Sequence, residues 1–270
     1  MSIKKVLFLN MVIAFAFGCQ PKEKNPNLMV QKEINENWQF RQAGEADWMD
    51  ATVPGTVHTD LMDNGVIGDP YYRLNELDVQ WIDKEDWEYK TTFTADKNML
   101  NHDRVELDFK GLDTYADVFL NEEQVLAANN MFREWQVDTK EFLKEGENEL
   151  RILFKSPIKI GLEKYNANEF VYPGAENDQA ERGEVEGGKR VSIYTRKAGY
   201  HYGWDWGPRL VTSGIWRPVV LKAWDEARIE NLQIVQHEVS EEKATFTAVF
   251  EVEAEGNEKA TLSVLNDGTT

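Results

Sequence analysis

The stretch with the most distinctive chemistry runs from Gly203 to Pro208. There a single carboxylate, Asp205, stands between two indoles, Trp204 and Trp206, with Gly203 before them and Gly207-Pro208 after. This is a poor strand core, because an acid breaks the apolar pattern and glycine and proline close both ends. Aromatic faces stack on the C–H face of a sugar ring, and a carboxylate accepts hydrogen bonds from two neighbouring hydroxyls. Trp204, Asp205 and Trp206 are therefore candidate substrate-binding residues. A packed aromatic corner around a satisfied acid is the other reading that these residue types allow.

Other candidates carry less. The run Gly183 to Arg190 has phosphate-loop spacing, but it holds two glutamates and lacks the Ser or Thr that would hold magnesium, so it reads as a flexible loop. His58, His102, His201 and His237 are scattered without helical metal-ligand spacing, and a Gly-x-Ser-x-Gly nucleophile elbow is absent. Of the Asn-Glu pairs at 35–36, 75–76, 121–122, 148–149, 168–169 and 257–258, several lie at turns, where a glutamate has no barrel mouth to serve. No metal site and no cofactor is expected. Cys19 is the single cysteine, which excludes an internal disulfide and a cysteine metal cage.

The elements that must position the aromatic cluster are strands. Val105, Leu107 and Phe109 alternate with Glu106, Asp108 and Lys110, the period-two pattern of a half-buried strand. The pattern recurs at Ala116, Val118 and Leu120, at Leu150, Ile152 and Phe154, and at Ile215, Val219 and Leu221. Turn chemistry separates these runs at 110–111, 120–122 and 145–148. Helical periodicity is confined to a short turn near 57–64. The segment 157–198 breaks the rhythm without clear strands and leads straight into the Trp204 cluster. Many short strands in succession predict an all-β jelly-roll sandwich. A second module starts near Asp225, where Phe246, Ala248, Phe250 and Val252, then Leu262 and Val264, alternate again. Its 45 residues are about half of an immunoglobulin-like domain.

The N-terminus reads as an address. Lys4 and Lys5 precede an apolar run from Val6 to Phe17, too short for a comfortable membrane span of roughly 20 residues. Ala16-Phe17-Gly18-Cys19 resembles a bacterial lipoprotein signal, which makes Cys19 the candidate lipidation site and residues 20–27 a polar tether. The expected organisation is a signal peptide over 1–18, lipidated Cys19 and tether over 19–27, the jelly roll over 28–225, and an incomplete immunoglobulin-like domain over 226–270. The expected location is an exported, membrane-anchored bacterial lipoprotein facing the periplasm or the cell surface. With 30 Lys+Arg against 48 Asp+Glu the net charge is −18, and −20 without residues 1–18. Such a chain repels phosphate backbones, so no nucleic-acid partner is expected and the membrane is met through the lipid anchor alone.

Several ordered blocks resemble the N-terminal part of β-mannosidases of glycoside hydrolase family 2. They are Trp38 with 53–58 and Asp60-Leu61; 69–71, Asn75-Glu76, Trp81 and 86–89; 109–116, Leu120-Asn121, 130–133 and 146–148; and Arg196-Lys197, 200–208 and 213–218. The resemblance implies a galactose-binding-like jelly roll followed by an immunoglobulin-like domain and then a (β/α)₈ barrel. In that arrangement the barrel carries two catalytic glutamates that work by a retaining mechanism. It further implies that Asp205 reaches the rim of the barrel's pocket to bond hydroxyls of a terminal mannose, with Trp204 and Trp206 shaping its surroundings. A barrel takes roughly 250 residues, so no catalytic residue is expected in this chain and the chain alone is expected to be inactive. The partner implied is a β-mannoside oligosaccharide or glycan. Two other expectations stand beside this one: a stand-alone non-catalytic carbohydrate-binding lipoprotein, and an inactive gene remnant.

Overall fold

The computed structural model describes residues 29–174, 189–204 and 207–254, together with the backbone of 5–10. In chain order the strands are β1 (Lys5–Asn10), β2 (Val30–Glu33), β3 (Gln39–Gln42), β4 (Met49–Asp50), β5 (Trp87–Ala95), β6 (Arg104–Phe109), β7 (Tyr115–Leu120), β8 (Glu123–Asn129), β9 (Trp135–Asp138), β10 (Gly146–Lys155), β11 (Val219–Trp224), β12 (Ala227–Val239) and β13 (Ala244–Ala254). The α-helices are α1 (Val57–Asp63), α2 (Asn75–Asp78), α3 (Lys97–Leu100) and α4 (Pro157–Ala167). The chain divides into two compact units, one of residues 31–101 and 105–222 and the other of 1–30, 102–104 and 223–270.

The larger unit is built on a six-stranded sheet of order β4-β3-β5-β10-β7-β8, beside a four-stranded sheet of order β2-β11-β6-β9. Register explains the core. Phe40 lies opposite Tyr89, Tyr89 opposite Ile152, and Ile152 opposite Val118, so one row of large side chains crosses four strands. All four are fully buried. The neighbouring row, Trp87, Phe154 and Ala116, follows the same ladder. Residues one step along point to the other face, where Arg41 and Arg151 bracket Glu88 at 2.6 and 3.0 Å. The four-stranded sheet contributes Val105, Leu107, Phe109, Val219 and Leu221 to the interior. The outcome is the all-β architecture that the alternation implies, with the galactose-binding-like form expected from the resemblance.

Strand β6 departs from a simple half-buried strand. Its polar side is buried as well, with Glu106 and Asp108 shielded from solvent. Asp108 is compensated by Lys222 of the adjacent β11 and by Lys110 at 2.7 Å. A buried carboxylate needs such partners, and alternation in sequence does not show whether a polar face is covered.

Helix α1 sits where the short helical turn is expected, and Thr56 and Thr59 close a reciprocal capping box at its start. The segment 157–198 has no strand among its described residues, and helix α4 within it corrects the expectation that helical structure is confined to 57–64. Its start carries recognisable signals: the Ser156 hydroxyl accepts from the Lys159 amide at 3.0 Å, and Pro157 occupies the first turn. Ile158 then packs with Val191, Tyr202 and Val211 in a small satellite core, against which Leu162 and Tyr165 rest. Most of the glycine-rich run, 183–188, lies outside the described residues. Lys189 beyond it bonds Asn166 of α4 at 3.0 Å.

In the smaller unit β13 lies between β1 and β12. The alternation of Phe246 to Val252 is realised in β13, whereas Leu262 and Val264 lie outside the described residues. Strand β1 comes from the apolar N-terminal run, paired antiparallel from Lys5↔Val252 to Asn10↔Thr247. A run rich in Val, Leu and Phe pairs readily with an open strand edge, whatever its role in targeting. Among the described residues, no helix is long and apolar enough to cross a membrane.

Candidate functional site

Trp204 lies on an arm of two irregular limbs, where it forms an isolated bridge with Gly207. Its amide donates to the Gly207 carbonyl at 3.2 Å, and the Gly207 amide returns a bond at 3.3 Å. Further down, the Leu210 amide donates to the His201 carbonyl at 3.0 Å. The outgoing side is a 3₁₀ turn over Gly199–Tyr202, ended by Gly203 at φ +105°, a conformation that favours glycine. Trp204 is half-buried. Asp205 and Trp206 lie outside the described residues. Tyr200 is 67% exposed and its ring centroid is 4.8 Å from that of His201.

Two buried cations secure the arm. The first is Lys197, whose ammonium donates to Asp113 Oδ2, to the Thr212 carbonyl at 2.9 Å and to Thr212 Oγ1 at 3.1 Å. Thr212 Oγ1 lies 2.7 Å from Asp113 Oδ2 and 2.8 Å from His201 Nδ1. The second is Arg209, which donates to Asp83 Oδ2 and, at 2.7 Å, to Gln80 Oε1. Gln80 answers by donating to the Arg209 carbonyl at 2.7 Å and to the Glu76 carbonyl at 2.6 Å. Both pairs are almost wholly removed from water. Burial pushes Asp83 above the usual carboxylate range against the pull of Arg209, and burial lowers Lys197 against the pull of Asp113.

Behind the arm the chain is locked to the segment preceding α1. Asp113 and Gly214 exchange backbone hydrogen bonds at 2.9 Å, Gly55 donates to Ile215 at 2.8 Å, and Val57 donates to Ser213 at 2.8 Å. Gly214 has φ +147°, and a Cβ there would stand 2.8 Å from the Gly55 carbonyl oxygen and 2.9 Å from Thr56 Cα. Only glycine fits so close a backbone approach. On α1, His58 is 7% exposed and its Nδ1 has no hydrogen-bond partner among the described residues. Burial first, then the Lys197 charge, lowers its pKa to about 3. His201 is lowered to about 4 for the same two reasons. Asp60 accepts from the Thr52 amide at 2.9 Å and from the Tyr89 hydroxyl at 2.6 Å, and burial raises its pKa to about 6.

Of the sequence-derived candidates, the structure describes Trp204 alone. Cys19, like Asp205 and Trp206, lies outside the described residues. Of the four histidines, His58 and His201 share the surroundings of Lys197, whereas His102 pairs with Asp225 at 2.9 Å and His237 with Thr247 at 2.7 Å. Among the described residues, no group of three or more His, Cys, Asp or Glu is placed to hold a metal ion. Sequence reasoning gave no role to Lys197, Thr212, Asp113, Arg209, Asp83 and Gln80. The signal available was a lysine followed by Ala198-Gly199 and an arginine following Gly207-Pro208, charges set beside turn residues and at both ends of the arm.

Comparison with known proteins gives a consistent result. Residues 38–217 match the family described as glycosyl hydrolase 2 galactose-binding domain-like. A β-mannosidase B from Thermothelomyces thermophilus is 34% identical over 252 residues, covering 88% of this chain and 28% of that protein. A β-mannosidase B from Emericella nidulans is 36% identical over 249 residues, with the same two coverages. The crystal structure of a β-D-mannosidase from Dictyoglomus thermophilum superposes with a TM-score of 0.76 at 36% identity, over 84% of this chain and 26% of that one. The chain thus spans little more than a quarter of the length of these relatives.

Proposed function

The chain belongs to the glycosyl hydrolase 2 galactose-binding domain-like family, and from that premise we propose that it is the N-terminal portion of an exported β-mannosidase. The reaction is the retaining, exo-acting hydrolysis of terminal β-D-mannose from β-mannosides. Under this reading the chain contributes the rim of the sugar pocket and neither catalytic glutamate, so the 270 residues alone hydrolyse nothing. Asp205 bonds hydroxyls of the terminal mannose, while Trp204 and Trp206 shape its surroundings. What supports the reading is the arm itself, whose ends are tied by buried ion pairs and whose far end bears Trp204. Two stretches of similar sequence length without such anchoring would not hold a sugar-binding group to the few tenths of an ångström that orientation requires. The β-mannosidase relatives, at 34–36% identity, supply the substrate class.

The same proposal includes export. Residues 1–18 act as the signal, Cys19 takes the lipid, and residues 20–27 tether the folded part to the membrane surface. Radiolabelled palmitate incorporated by the wild-type chain and lost with Cys19→Ser checks this part.

The function is tested with Asp205→Ala in the full-length protein, assayed with 4-nitrophenyl β-D-mannoside. The expected result is a fall in kcat/KM of about a hundredfold or more with an unchanged melting temperature. Unchanged kinetics, or a variant that unfolds, overturns the role of Asp205. A companion titration of the isolated chain with mannose and mannobiose is expected to show little affinity, since one rim does not close a pocket. Tight binding there favours a carbohydrate-binding module instead.

A further inference from the structure

The hydroxyl of Thr212 is the point at which the buried Lys197 and the half-buried His201, four residues apart, meet the buried Asp113 from 99 positions away. Its donor and acceptor capacities leave a single consistent assignment. Lys197 is an ammonium with three N–H groups, and its three acceptors are Asp113 Oδ2, the Thr212 carbonyl and Thr212 Oγ1. A threonine hydroxyl has one proton to give and two lone pairs to receive with. Asp113 Oδ2, an acceptor only, stands 2.7 Å away and takes that proton. One lone pair receives Lys197, so the contact with His201 Nδ1 at 2.8 Å is a bond in which the ring nitrogen donates. The imidazole is neutral near pH 7, because burial and Lys197 hold its pKa near 4. Neutral and donating from Nδ1, the ring carries its lone pair on Nε2.

We propose that Thr212 is a positioning residue: through its hydroxyl it joins Lys197, Asp113 and His201, fixes His201 as the Nδ1–H tautomer, and thereby sets the arm that bears Trp204. The inference rests on the reading of that arm as the sugar-binding rim. It goes beyond it by naming what holds the rim still and by assigning a proton. His201 belongs to the outgoing side of the arm and Thr212 follows its returning side, so this side-chain bond closes the base below the His201–Leu210 backbone bond and the Trp204–Gly207 bridge. Asp113, also bonded by Thr114 through its other oxygen, ties the base to Gly214 through the backbone. A substitution that keeps the hydroxyl keeps the node. One that removes it leaves Lys197 short of an acceptor and Asp113 short of a donor in the interior.

The test reads the proton directly. Side-chain ¹⁵N correlation spectra of the ¹⁵N-labelled wild-type chain at pH 7 are expected to show His201 as the Nδ1–H form. An Nε2–H form or a rapid mixture overturns the proposal without any variant. Thr212→Ser is expected to preserve the tautomer, and Thr212→Val to lose it. Amide hydrogen exchange at Trp204, Gly207 and Leu210 is expected to accelerate by about tenfold to a hundredfold in Thr212→Val. Exchange at Ile152 and Tyr89 in the central sheet is expected to stay as in the wild type. Unchanged exchange in the arm, or a Ser variant that behaves as Val does, overturns the proposal. Should Thr212→Val fail to fold, the wild-type spectrum and the Ser variant decide the matter alone. Failure of the sugar-binding reading shows instead in the Asp205→Ala kinetics and leaves these readouts unmoved.

Discussion

Acid should weaken the larger unit, and His58 should account for a measurable share of the loss. Its pKa is about 3 in the folded chain against an ordinary 6.5, because it is buried beside the Lys197 charge, with His201 and Arg209 acting in the same sense and Asp113 opposing. As pH falls below 6.5 the unfolded chain takes up a proton that the folded chain refuses. The contribution is therefore fully present above 6.5 and is lost progressively down to about 3. Between pH 7 and pH 5 this one group removes about 2 kcal/mol of stability. Two residues away Asp60 works in the opposite sense. Its folded pKa of about 6 exceeds its ordinary 3.8, so the folded state takes up the proton first and regains about 1 kcal/mol over the same interval. Wild type and His58→Gln share the Asp60 and His201 titrations, so their difference isolates His58. Urea unfolding followed by tryptophan fluorescence at pH 7, 6 and 5 should show the wild type losing about 2 kcal/mol more than the variant by pH 5. Stability curves that run parallel from pH 7 to 5 would refute the reasoning, as they would mean that His58 meets water or a carboxylate in the folded chain.

Two further outcomes are expected. Asp83→Ala strands the Arg209 guanidinium in the interior and should destabilise the chain by about 3–5 kcal/mol, measured by urea unfolding; a loss below about 1 kcal/mol would mean that the pair is hydrated. Gly214→Ala places a methyl group against the Gly55 carbonyl and Thr56 backbone, and should cost about 2 kcal/mol or more by the same measurement, with the Gly55 and Val57 amides exchanging faster.

Much of the sandwich was legible because its strands obey a local rule. Val105 to Phe109, Ala116 to Leu120 and Leu150 to Phe154 alternate in sequence, and each forms a strand with that face inward. Helix α1 was legible from its short apolar pattern. Helix α4 was missed because charge and aromatic content hid a sound start, Ser156-Pro157, and a sparse apolar stripe of Ile158, Leu162 and Tyr165. The buried acids were illegible for a different reason. Nothing near Asp83, Asp108 or Asp113 in sequence says that water is excluded from them. Their partners Arg209, Lys222 and Lys197 lie 126, 114 and 84 positions away. Residue types alone drew attention to Trp204-Asp205-Trp206, whereas the node that holds the arm becomes visible only when the chain is folded.

Those separations also fix an order of events during synthesis. In each of the three pairs the acid leaves the ribosome first, and its cation follows 84 to 126 residues later. At about 5–20 residues per second the interval is several seconds or more. Throughout it Asp83 and Asp113 lack the cation that neutralises them in the fold, and Asp108 has only Lys110, so all three favour staying in water. An early collapse that buried them would be opposed by their own hydration. The segments that carry them, a 3₁₀ turn at Asp83, strand β6 at Asp108 and the bridge at Asp113, are thus disfavoured from closing before their cations arrive. The aromatic arm arrives with two of the three charges, those of Lys197 and Arg209, and Lys222 follows it to complete the set.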